Sequence, residues 1–157
     1  MWLPSQSTLN IGTAFLFPNS SDTITIPSTA ERVITVGAYD ALTLTYADFS
    51  GRGALERWEG TAAFKPDLVA PGVKVTTVRA GGGYEEVSGT SFATPFVTGS
   101  AALLMEWGII KGNDPYLYGE KVKAYLRKGA KELPGVWKYP NNQVGYGALC
   151  LENSFPK

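Results

Sequence analysis

The 157-residue sequence contains no histidine, which removes the side chain most often used as a general base in hydrolysis and most often used to bind metals. Acid–base chemistry at this chain must take its base from elsewhere. The single cysteine, Cys150, excludes an internal disulfide and leaves the redox compartment open; a lone thiol of this kind is expected to be packed and structural. Charge of one sign is never concentrated. Fourteen Lys and Arg balance fourteen Asp and Glu without a block of like charge, which argues against nucleic acid or an anionic membrane surface as a partner. No run reaches the roughly 18 apolar residues that span a bilayer, and Met1-Trp2-Leu3-Pro4 has neither the basic nor the apolar region of a secretion signal, so an export signal is expected only ahead of Met1. Asp22, Asp40, Asp48, Asp67 and Asp114 are scattered singly, whereas calcium needs several oxygen ligands from one compact loop. No metal or cofactor site is assigned, and most of these aspartates are expected to serve turns and caps.

What is present fits one soluble globular domain, or part of one, with 44% hydrophobic residues and no internal repeat. The stretch through Pro27 is rich in Ser, Thr, Asn and Pro and predicts extended surface chain with one edge strand. Val33 to Ala38 is β-branched and almost wholly apolar, the pattern of a strand buried on both faces in a parallel sheet. Leu42 to Tyr46 alternates, and Phe49-Ser50-Gly51-Arg52-Gly53 predicts a tight turn. Residues 65–72 read as a loop punctuated by two prolines, followed by strands at Val73 to Val78 and Tyr84 to Val87 around Gly81-Gly82-Gly83. After Thr90 the period becomes helical, with Ala93, Val97, Ala101 and Leu104 joined by Phe96 and Leu103, until a stop at Trp107-Gly108. A helix this apolar all round is expected to be buried. A second helix is predicted from Asn113 or Asp114 as N-cap, with Pro115 in its first position, to Gly129.

Ser91 therefore falls in the first turn of a helix. A serine hydroxyl needs a base, and donors for the oxyanion it creates, before it can attack a carbonyl. A helix N-terminus offers such donors, because its first N–H groups lack intrahelical partners and carry the positive end of the dipole. Ser91 can be nucleophile and, through its own N–H, oxyanion donor; the Thr90 hydroxyl can add a second donor, and Gly89 lets a substrate backbone come close. The competing reading is that Thr90 or Ser91 merely caps the helix, as Ser and Thr commonly do.

The run Gly89-Thr90-Ser91-Phe92-Ala93-Thr94-Pro95-Phe96-Val97-Thr98-Gly99 resembles the nucleophile motif of the subtilisin-like serine proteases. Three further segments are similar to that family in order: Val33 to Ala38 with Asp40, Ala47-Asp48-Phe49-Ser50-Gly51-Arg52-Gly53, and Lys65-Pro66-Asp67-Leu68-Val69-Ala70-Pro71-Gly72. Gly145-Tyr146-Gly147 resembles the turn before the family's last ordered segment. Phe96 departs from the histidine that many members carry there, a change expected to affect packing rather than chemistry. The approach Ile26-Pro27-Ser28-Thr29-Ala30 and the run from Phe92 to Gly99 are similar to the clostridial Csp group of bacterial subtilases, associated with spore germination. That leaves a secreted, cell-envelope or spore-associated location open.

The resemblance implies an α/β fold, a three-layer sandwich with a largely parallel sheet, of which residues 1–157 would be the C-terminal portion. It implies a serine endopeptidase acting on protein or peptide substrates through a Ser-His-Asp triad. Only Ser91 carries over, with Ser91 and Thr90 at the oxyanion site. The family's His, Asp and oxyanion Asn come earlier in the chain, so the upstream part of the same catalytic domain is the expected partner and the chain alone is expected to be inactive. Members of the family can bind calcium, but no ligand set here matches. A pseudoprotease or regulatory binding domain on the same fold is the alternative, and an interaction module without any catalytic half is a third. A parallel sheet cut partway also predicts self-association.

Overall fold

The computed structural model describes Leu3, residues 6–54 and residues 64–156. Three strands form the main sheet in the order β2-β1-β3: β1 is Val36–Asp40, β2 Thr45–Tyr46 and β3 Leu68–Pro71. β1 and β3 run parallel, with Val36 opposite Leu68 and Ala38 opposite Ala70, while β2 is a short antiparallel edge. Ala148 extends the parallel side by a bridge to Val69. β4 (Val75–Val78) and β5 (Tyr84–Val87) form a separate antiparallel hairpin that leads into α1 (Thr90–Met105).

Side chains alternate across a strand, and here the alternation separates two apolar layers. Ala38, Leu68 and Ala70 pack on one side with Ala93, Val97 and Leu104 of α1 and with Val122 and Leu126 of α2 (Gly119–Gly129). Tyr39 and Val69 point to the other side, where Leu133, Val144 and Ala148 close over them. Helices cover one face and the C-terminal turns the other, so the strands are buried on both. A four-residue helix, α3 (Leu151–Ser154), packs against α2.

The expected elements appear with instructive differences. The proline-punctuated loop over 65–72 contains β3, the parallel partner of the central strand β1. Three apolar residues suffice once both faces are buried, and the prolines sit before the strand and at its last position, where the ladder tolerates them. β1 starts at Val36 rather than Val33, because the Thr35 N–H is taken at 2.6 Å by the Asp67 carboxylate. Among the described residues no strand precedes Val36. The expected edge strand is represented by two bonds, from Asp22 N to Gly53 O and from Thr23 N to Arg52 O, too few for a ladder.

Gly108 does not stop the first helix. The chain continues through a π-helical turn, Glu106–Ile110, and Gly108 lies buried where a Cβ would come 2.7 Å from Leu117 Cδ2. The glycine serves close approach, not termination. α1 is also not buried all round: Ala93, Val97, Ser100 and Leu104 are covered, whereas Leu103 is 49% exposed and, in the π-helical continuation, Ile110 79%. Taken as one helix, Thr90–Ile110 reaches the length and mean hydropathy, 1.2, of a membrane-crossing segment, which counting uninterrupted apolar runs missed because Ser, Thr and Gly break them. Its buried stripe nevertheless packs on β1 and β3, as the core helix of a sandwich does. α2 begins at Gly119, later than expected, because the Asp114 carboxylate engages Lys121 Nζ and Tyr125 Oη instead of capping a helix start.

Candidate active site

Ser91 is the second residue of α1 and is exposed. The chain enters the helix through Gly89 at φ 152° and ψ 157°, a combination open essentially only to glycine. Thr90 and Ser91 thus occupy the first two helical positions, whose N–H groups have no intrahelical acceptor. The helix has no side-chain cap hydrogen bond, so neither hydroxyl is engaged as its cap, in contrast to the simpler reading of these residues.

Two bonds fasten the turn before Ser91. The Gly89 N–H donates to Gly72 O at 2.8 Å, and the Lys74 N–H donates to Ser88 Oγ at 2.9 Å. Gly72 in turn donates to Tyr39 O at 3.0 Å, tying the turn to β1. A Cβ on Gly72 would meet Ala38 Cβ at 2.6 Å and Gly89 O at 3.0 Å, so only glycine lets β1, the serine turn and α1 come together here. Four positions after Ser91, Pro95 interrupts the helical ladder. Having no N–H, it leaves the Ser91 carbonyl without its usual donor. One position earlier, Thr94 Oγ1 donates to Thr90 O at 3.0 Å. Thr90 itself is half-buried beside the serine.

The other singled-out acids lie away from this turn in role. Asp40 is a turn residue as expected: its Oδ1 accepts the Leu42 N–H at 2.8 Å, and that bond, with Thr43 and Lys74 assisting, holds its carboxyl below the usual range. Asp67 is not a turn or cap residue. It is completely buried at the start of β3 and ion-paired with Lys65, Lys123 and Arg127. Its partners on α2 lie as much as 60 positions away, so no local pattern could have signalled them. Among the described residues, no group of three or more His, Cys, Asp or Glu side chains converges as a metal site.

A model of the subtilase family matches residues 7–147. The chain belongs to the subtilases. It is 35% identical to the serine protease AprX of Bacillus subtilis (strain 168), over 87% of this chain and 32% of that protein. The structure of the Clostridium perfringens CspB protease superposes with a TM-score of 0.85 at 47% identity, covering 93% of this chain and 30% of that one. The patellamide maturation protease PatA gives a TM-score of 0.64 at 33% identity, over 87% of this chain and 47% of its own. The α/β architecture is thus a subtilisin-like fold, and the family is one of serine proteases acting on proteins or peptides. The chain spans about a third of the length of AprX and CspB.

Proposed function

We propose that this chain contributes the nucleophile and one oxyanion donor of a subtilase endopeptidase whose His, Asp and second oxyanion donor lie outside this sequence, and that the chain alone is inactive. The observation that carries the proposal is the placement of Ser91: exposed, uncommitted to capping, and at the N-terminus of the core helix behind a glycine-only turn. In the reaction, Ser91 Oγ attacks the scissile carbonyl while a base accepts its proton. The negative charge on the carbonyl oxygen develops toward the Ser91 N–H and the helix N-terminus, with the Thr90 hydroxyl as a further donor. The base then returns the proton to the leaving amine, and water releases the acyl group by the same route.

The open side of α1 and its π-helical continuation, including Phe96, Leu103 and Ile109, is where the remainder of the catalytic domain packs in this proposal. Relatives about three times as long support that assignment. The test is peptide hydrolysis and fluorophosphonate labelling by the chain alone, by the chain joined to the remainder of its catalytic domain, and by the joined form with Ser91→Ala. Activity and labelling only in the joined form, abolished by the substitution, are expected. Turnover by the chain alone would refute the missing-partner account, and an inert joined form would assign the fold to binding or regulation.

A further inference from the structure

The hairpin of β4 and β5 leads straight into the serine turn, and its two faces differ. Side chains alternate across a strand, so the register puts Thr76, Val78, Tyr84 and Glu86 on one face and Val75, Thr77, Glu85 and Val87 on the other. On the second face Val75, Thr77 and Val87 are half-buried. The first face is open throughout: Val78 is 74% and Tyr84 77% exposed, with Thr76 and Glu86 exposed beside them. Val78 and Tyr84 stand opposite each other as an apolar pair at the far end, and Glu86 lies two positions closer to Ser91. None of the ion pairs among the described residues involves Glu86. The Arg79 N–H donates to Gly83 O at 3.0 Å. Bonded and non-bonded pairs alternate along an antiparallel ladder, so Val78 with Tyr84 and Thr76 with Glu86 are non-bonded pairs, and Tyr84 and Glu86 turn their N–H and C=O groups to the outer edge of β5. Among the described residues no strand occupies that edge.

We propose that Glu86 and Tyr84 select the substrate: an extended segment that carries a Lys or Arg opposite Glu86 and, two positions farther from the scissile bond, an apolar residue against Tyr84 and Val78. This rests on Ser91 as the nucleophile and names what that nucleophile is presented with. A segment added to the edge of β5 bonds to the outward main-chain groups of Tyr84 and Glu86, the way an extended peptide extends a sheet. Side chains directly opposite across such a ladder stand about 4.5–5.5 Å apart at Cβ, close enough for a charge pair and for aromatic contact. The spacing of two is set by the strand period, because Tyr84 and Glu86 are two apart on one face. The order is set by the chain: Glu86 is nearer to Ser91 than Tyr84 is, so the cation lies nearer to the scissile bond than the apolar residue. An unpaired carboxylate attracts a cationic residue and repels an acidic one, which discriminates in both directions. The Val78–Tyr84 pair leaves water only when a chain lies over it, and that burial adds to binding. Glu85 carries the same charge one position away on the opposite face, so it separates a contact made on the open face from a general pull of acidic charge near the nucleophile.

The test uses the chain joined to the remainder of its catalytic domain and a peptide library randomised on both sides of the scissile bond, with the products mapped by mass spectrometry. Enrichment of Lys or Arg on one side, with an apolar residue two positions beyond it, is expected. Glu86→Gln should lower kcat/KM about three-fold for a peptide with Arg and Phe at these positions, the size of a charge pair across strands, and leave the peptide with Gln in place of Arg unchanged. Its dependence on salt should flatten as well. Tyr84→Ala should cost about five-fold on either peptide, and Glu85→Gln should change neither. No enrichment, or equal effects of Glu85→Gln and Glu86→Gln, would overturn the proposal and leave Ser91 as nucleophile untouched. An inert joined form would instead refute the role of Ser91, and fluorescence anisotropy of the labelled Arg and Phe peptide then decides the hairpin by itself. Binding weakened by Glu86→Gln and not by Glu85→Gln supports recognition on the open face; no binding, or binding indifferent to Glu86, overturns it.

Discussion

The hydroxyl of Ser88 accepts the backbone N–H of Lys74 at 2.9 Å, across the base of the hairpin that delivers the chain to Ser91. Lys74 sits at φ 49°, a left-handed conformation that a lysine adopts only when its surroundings impose it. Together with the bond from Gly89 N to Gly72 O, this contact fixes the turn before the proposed nucleophile from both sides. Replacing Ser88 by alanine is expected to cost about 1 kcal/mol and to speed hydrogen exchange at the Lys74 amide, while Ser88→Thr keeps the protection. Unchanged exchange in Ser88→Ala would show that the bond does not hold the turn in solution.

Gly72→Ala tests the close approach of three elements. Its Cβ would stand 2.6 Å from Ala38 Cβ and 3.0 Å from Gly89 O, and neither can move without shifting β1 or the serine turn. Overpacking of this kind costs about 1–3 kcal/mol, read as a lower urea midpoint with an unchanged slope. A midpoint equal to that of the unsubstituted chain would mean that the sheet and α1 yield more easily than their packing indicates.

The uncovered side of α1 sets the solution behaviour of the isolated chain. Phe96, Leu103, Met105, Ile109 and Ile110 share that helix and its π-helical extension and are each at least 40% exposed. Such a surface is expected to drive self-association. Sedimentation velocity should show concentration-dependent species that Leu103→Glu shifts toward monomer. A monomer at every concentration that binds no apolar dye would count against an open face.

Acid should act through Asp114. Its bond to Lys121, with help from the Tyr125 hydroxyl, holds its carboxyl below the ordinary carboxylate range. A carboxyl lowered on folding adds stability that is fully present above its unfolded pKa and is lost as pH falls through the folded value. Asp114→Asn should therefore melt below the unsubstituted chain at neutral pH, with the gap closing as pH drops below about 4. A gap that stays constant into acid would assign the loss to packing of the amide instead.

Much of the site was legible along the chain because its signals are local. Gly89 ahead of Thr90, the change from strand to helical period, and Ser91 at the helix start all lie within a few residues of one another, and α1 begins where that pattern puts it. The hairpin of β4 and β5 around Gly81-Gly82-Gly83 followed from the same short-range logic. β3 did not, since a three-residue apolar run between prolines becomes a strand only when β1 pairs with it and both faces are covered. Gly108 looked like a terminator because a glycine at that spacing usually is one; the close pass of Leu117 that requires it is not written nearby.

The sequence by itself determined the family motif, the α/β layering, the place of Ser91 at a helix start and the lack of histidine. Only the tertiary structure decided which side of α1 is covered, that Gly72 is the point where β1 meets the serine turn, and that Asp67 is a buried centre for Lys65, Lys123 and Arg127. The reason is range. Period, turn chemistry and helix starts depend on neighbours a few residues apart, whereas burial and charge pairing depend on which distant segments the fold brings together.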